Sequence, residues 1–120
     1  MSNQVIGQAR VKVDSDALET DGSLTLEIGG PKREAVTGDY QAGAFKETTE
    51  PAKLTCKILV KAGTSLSDYR RIKNATLTVE FDTGQTWLIR GAYLGDLISV
   101  GQSDGKADLV FMGEPAEEVL

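Results

Sequence analysis

The stretch Ala75-Thr76-Leu77-Thr78-Val79-Glu80-Phe81-Asp82-Thr83-Gly84-Gln85-Thr86-Trp87-Leu88-Ile89-Arg90 decides the fold class. Leu77, Val79 and Phe81 alternate with Thr76, Thr78 and Glu80, the period-two pattern of a strand with one face in a core. Asp82-Thr83-Gly84-Gln85 interrupts the pattern with turn residues, so a tight hairpin is predicted. The returning segment, Thr86 to Arg90, is apolar on both faces near its centre. That predicts a central strand covered on two sides. Trp87 shares a strand face with Ile89 and is expected to fill the core of a small sandwich. The alternative is an aromatic platform of Trp87 and Tyr93 for a sugar or a base.

The same period recurs on both sides of this hairpin. Val11 and Val13 alternate with Arg10, Lys12 and Asp14; Leu24, Leu26 and Ile28 alternate with Thr25 and Glu27; Leu109 and Phe111 flank Asp108. Leu54 to Val60 alternates around Cys56, which reads as a small packed hydrophobe rather than a reactive thiol. Strands are expected near 9–14, 23–29, 53–62, 75–82, 85–94, 96–101 and 106–112. Ser103-Asp104-Gly105-Lys106 is a second hairpin signal and Asp21-Gly22 a third, because Asp-Gly suits positive backbone angles. One helix is expected near 65–73. Ser65 and Asp68 resemble a capping box, Leu66, Tyr69 and Ile72 share a face, and Arg70, Arg71 and Lys73 complement the dipole at its end.

Residues 29–52 fit none of these patterns. The stretch is rich in glycine and holds Pro31 and Pro51, and its large apolar residues are Val36, Tyr40 and Phe45. Loops of this length are usually functional or disordered. Three such side chains cannot offset the entropy of ordering so long a segment. It is therefore expected to be mobile in a free subunit and ordered against neighbours. Its charges (Lys32, Arg33, Glu34, Asp39, Lys46, Glu47 and Glu50) suit reciprocal pairing between like subunits. Tyr40 and Phe45 are the expected anchors, since aromatics dominate interface hot spots.

The chain has 120 residues, the size of one domain, with a net charge of −5. An acidic chain repels phosphate backbones and disfavours sequence-independent nucleic-acid binding. There is no histidine, which excludes His-based triads, His metal sites and His general bases. One cysteine precludes an internal disulfide. No apolar run approaches the ~20 residues of a membrane span. Met1-Ser2-Asn3-Gln4 lacks a signal pattern, which predicts a protein kept in the cytosol. Asp14-Ser15-Asp16 opens like a calcium loop, but Leu18 stands at a ligand position, so a turn is the reading. Gly29-Gly30-Pro31-Lys32 lacks phosphate-loop spacing. Glu117-Glu118 reads as part of a solvated tail, 114–120.

Five segments in order carry a resemblance across nearly the whole chain. They are Gly7-Gln8-Ala9-Arg10-Val11-Lys12-Val13-Asp14, Glu27-Ile28-Gly29-Gly30-Pro31-Lys32-Arg33, Gly38-Asp39-Tyr40-Gln41, Asp82 to Trp87 with Arg90-Gly91-Ala92-Tyr93, and Ser103-Asp104-Gly105-Lys106. Together they resemble the tail tube proteins of contractile-tailed, Mu-like bacteriophages. Asp14-Ser15-Asp16 departs from the Asp-Gly turn expected in relatives. The resemblance implies a mostly β fold, a sandwich or partly closed barrel with one short flanking helix and a long protruding loop over 29–52. It implies one domain over 1–120, with no active site, cofactor or metal. It also implies six-fold rings stacked into a hollow tube. The implied partners are further copies of the chain, the tail sheath, the tape-measure protein, the baseplate and the tail terminator. Viral DNA would pass through without specific binding, and the chain would not insert in a membrane. The implied location is the virion, after assembly in the host cytoplasm. Glu27 and Glu47 are candidates for an acidic lumen wall. The competing readings are a monomeric β-sandwich binding module, a carboxylate hydrolase and a type VI secretion tube protein.

Overall fold

The alternating rows expected from the sequence become strands in a computed structural model that describes residues 3–119. Met1 and Ser2, read above for a targeting signal, and Leu120 of the tail lie outside the described residues. The strands are β1 (Ala9–Val13), β2 (Asp16–Ala17), β3 (Thr25–Glu27), β4 (Gly30–Val36), β5 (Ala44–Glu50), β6 (Ala52–Leu59), β7 (Ala75–Phe81), β8 (Thr86–Leu94), β9 (Ser99–Gly101), β10 (Lys106–Gly113) and β11 (Glu117–Val119); helix α1 is Leu66–Arg70. Every second residue of the long strands points into one core: Val11 and Val13 of β1, Leu54, Cys56 and Ile58 of β6, Leu77 and Val79 of β7, Ile89 of β8, and Leu109 and Phe111 of β10. That is the row on which the strand assignments rested.

The sheet runs β2-β1-β7-β8-β10-β6-β3. Strand β8 is its corner. Its first half pairs with β7, as in Val79↔Trp87, and its end pairs with β10 through Tyr93 and Leu94. Gly91 lies between the two halves at φ 62, and the β7–β8 register slips between Ala75 and Leu77. A bulged, glycine-containing bend of this kind lets one strand serve two layers.

The far edges meet through the segment after β2. The Leu59 amide donates to the Glu19 carbonyl (2.9 Å) and the Asp21 amide to the Lys57 carbonyl (3.0 Å), around a Thr20↔Ile58 bridge. These bonds close the sandwich into a small barrel and satisfy edges that would otherwise be open. Asp21 fixes the closure. One carboxylate oxygen accepts from the Ser23 amide at 2.8 Å and the other lies 3.1 Å from Lys106 Nζ, with the side chain only 7% exposed. The Ser23 bond, then Lys106, hold this carboxyl below its usual range.

Several expectations change. Asp21-Gly22 does not make a hairpin. The segment before it and β3 after it both run antiparallel to β6, so the turn offsets one edge strand without reversing it. The helix is shorter than 65–73, and Ser65 makes no side-chain capping bond. Asp68 instead lies 3.9 Å from Arg71. Leu66, Tyr69 and Ile72 do pack on the core. Trp87 is only partly buried, at the core's margin. The tail does not stay free, because β11 pairs with β8, Glu117 opposite Leu88. Asp14-Ser15 is a two-residue turn between β1 and β2, with Asp14 at φ 55. The Asp14 carboxylate accepts from the Thr76 amide at 3.0 Å, which gives this non-glycine residue a bond that holds it at a positive φ.

Phe111 is fully buried, so Phe111→Ala is expected to lower unfolding free energy by about 3–5 kcal/mol, measured by urea titration. Asp21 titrates lower in the folded chain than in the unfolded one. Its stabilisation is therefore present above the ordinary carboxylate range near ~4 and is lost as pH falls through the folded value. Asp21→Asn should be less stable than the parent at neutral pH, and melting curves from pH 7 downward should converge in acid.

Candidate assembly surface

The stretch 29–52, read from sequence as a loop, is an antiparallel hairpin of β4 and β5. It continues the β3–β6 pair in the same register. Opposed residues keep one offset from Thr25↔Thr55 and Glu27↔Lys53 through Gly30↔Glu50 to Val36↔Ala44. The ribbon is thus a single two-stranded unit whose lower half belongs to the barrel. What changes along it is the core-facing row. Leu26, Leu54, Cys56 and Ile58 give way, at the same parity, to Lys32, Glu34, Lys46, Thr48 and Glu50. A row that is polar until Val36 and Ala44 at its far end has little to bury and no reason to stay on the core. Residues 31–50 are accordingly all exposed. The molecule measures 63 × 39 × 28 Å, with a radius of gyration of 17.3 Å, against about 13.6 Å for a compact domain of this length.

The arm's charges are largely matched within it. Arg33 Nε lies 2.8 Å from Glu47 Oε1, and Lys46 Nζ lies 3.6 Å from Glu34 Oε2. These four expected intersubunit partners therefore have partners inside the hairpin. Lys32, Asp39 and Glu50 form no ion pair among the described residues. The Arg33 guanidinium also sits 5.9 Å from the centre of the Phe45 ring, a cation–π distance. Phe45 remains 59% exposed, and Tyr40, at the tip turn closed by the Gly38 amide on the Gln41 carbonyl, is 100% exposed.

Glu27 and Glu47, the candidate lumen acids, occupy the same alternating row of the ribbon on opposite sides of its bend. The arrangement does not bring them together. Sequence reading missed exposed apolar residues outside the arm, among them Leu97 at 88% and Val5 at 80%. Val5 precedes β1, and Leu97 falls in the strand expected near 96–101, of which only Ser99–Gly101 forms. Cys56 is fully buried and its thiol is pushed up to about 12, by burial first and then by the Asp21 charge, as expected of a packing residue.

Comparison with known proteins agrees across the whole chain. The family described as "Phage tail tube protein" matches residues 2–118. The Mu-like prophage FluMu tail tube protein of Haemophilus influenzae is 32% identical over 109 residues, covering 91% of each chain. The tail tube protein of Escherichia phage Mu is 29% identical over 117 residues, covering 98% of this chain and 97% of its own. Among solved structures, the fold is similar to a chain of the sheath-tube complex of the extracellular contractile injection system PVC in its extended state. There the TM-score is 0.69 at 13% identity, over 96% of this chain and 90% of that one. A chain of the sheath/tube terminator of the same system gives 0.73 at 12% identity, over 100% and 99%.

Proposed function

The chain belongs to the phage tail tube protein family, and from that premise we propose how it builds its tube. As a family member it is a structural virion component of contractile-tail systems and not an enzyme. In our reading, copies associate side by side into six-fold rings, and the rings stack into a hollow conduit inside the sheath. The tube holds the tape-measure protein during assembly and later passes viral DNA. Its ends meet a baseplate and a terminator.

One observation carries the assembly role: a hairpin in which residues 31–50 are all exposed extends from a closed barrel. A two-stranded ribbon alone is marginally stable in water. Both its outer edges offer unpaired backbone groups, a ready template for another chain. Docked between neighbouring copies, the arm would gain partners for those edges and for Lys32, Asp39 and Glu50. Tyr40 and Phe45 would anchor it, with Arg33 carried on the Phe45 ring. Arg33, Glu34, Lys46 and Glu47 primarily hold the hairpin's own shape. Heterologous contacts of this kind, one surface meeting a different one, generate rings and open tubes.

Passage of DNA requires a wall that does not hold phosphate. The net charge of −5 supports an acidic lumen, to which Glu27 and Glu47 are proposed to contribute.

Replacing residues 32–48 with a short Gly-Ser linker is expected to leave a folded barrel that no longer forms long tubes by electron microscopy. Long tubes at normal yield from that variant would sink the arm's role. Protein that stays monomeric at every concentration, arm intact, would instead favour a monomeric binding module. A reconstruction of the assembled tube is expected to show a net acidic inner surface; a net basic one would contradict the conduit reading.

A further inference from the structure

The arm leaves the barrel at one place, and its chemistry there is unlike the rest of the ribbon. By the constant register, Gly29 stands opposite Pro51. Gly29 has φ 72 and the next residue, Gly30, has φ 100, so two consecutive residues adopt the left-handed region that favours glycine. A methyl group added at Gly29 would lie 2.7 Å from the Ala52 nitrogen and from the Pro51 carbonyl carbon, and 2.8 Å from the Pro51 oxygen. Those are backbone atoms and cannot step aside as a flexible side chain can. Across the ribbon, Pro51 has no amide to donate and a fixed φ. Ladder pairing across the ribbon stops at Glu27↔Lys53 and resumes at Gly30↔Glu50, so the ladder is interrupted at Gly29 and Pro51 and at the adjacent Ile28 and Ala52.

These features describe an elbow that is set rather than loose. A free hinge needs room around it, whereas this one is closed by backbone on its inner side. Resting on the arm reading above, we infer that Gly29, against Pro51, is the positioning residue that fixes the angle between arm and barrel, and with it the spacing of successive subunits in the tube. The arm supplies the contact and the elbow supplies its direction. Small angular errors at the base of a ribbon seven pairs long displace its tip far more than its root. A subunit with a correct arm at a wrong angle would therefore offer its neighbour a misplaced surface.

The test compares Gly29→Ala with Gly84→Ala in the full-length protein. Gly84 also has a positive φ, 96, but a methyl group there meets nothing within 4 Å, and it lies in the β7–β8 turn. Thermal melts check that both variants fold, and electron microscopy reads tube yield and helical rise. The expected result is that Gly84→Ala assembles like the parent, while Gly29→Ala loses about tenfold or more of its tubes, one decade in association equilibrium, or builds them with a shifted rise. Should Gly29→Ala fail to fold, Pro51→Val is read in its place with the same expectation. Tubes of parental yield and rise from the folded elbow variant would overturn the inference. If the linker replacement of residues 32–48 also gave normal tubes, the arm reading itself would fall. If only the linker variant lost its tubes, the elbow alone would be wrong.

Discussion

Every backbone amide and carbonyl in a β protein must find a partner, and that requirement organises this molecule. A sandwich of short strands has two edges. Here the segment Leu18 to Asp21 binds β6 and ties one edge to the other, while the C-terminal strand β11 adds to β8. Closure depends on Asp21, whose carboxylate joins its own turn to Lys106 at the start of β10. With the barrel body closed, the long unpaired edges are concentrated on the hairpin of β4 and β5. The fold thus concentrates its capacity for strand pairing on the element that reaches farthest from the core.

Charge follows the same division. In the arm, pairs such as Arg33 with Glu47 are exposed on both sides, and exposed pairs contribute little stability. Their value is geometric. They align two strands that have no core to pack on, and they leave the hairpin without an apolar row that would fold back onto the barrel. Val36, Tyr40 and Phe45 are the exceptions, and all three are exposed.

The barrel was legible in the sequence because its strands bury one face and period two records that directly. Leu77, Val79, Leu109 and Phe111 all sit where alternation puts them. The arm was not legible as strand. Both of its faces meet water, so Lys32, Arg33 and Glu34, or Lys46, Glu47 and Thr48, can follow one another without an apolar partner at every second position. β11 was hidden for the same reason, Glu117 and Glu118 being acceptable on an exposed edge strand. Asp21-Gly22 misled because the turn chemistry is the same whether a chain reverses or merely steps sideways. The residues proposed for assembly were found by what they lacked, a place in any core, and not by a motif. Ion pairing inside the hairpin could not be foreseen, since it depends on a cross-strand register that becomes visible only once β4 is known to pair with β5.

The unbroken offset between the two strands of the ribbon has an evolutionary reading. A single residue inserted into one strand would exchange the two faces of everything beyond it. Matched additions on β4 and β5 near the tip would leave Gly29, Pro51 and every barrel pair in place. Reach can therefore drift between lineages as a dimension separate from the core, provided both strands change together. Changes in the arm's length and changes in the barrel core then fall on different parts of the chain, with Gly29 and Pro51 at the border between them.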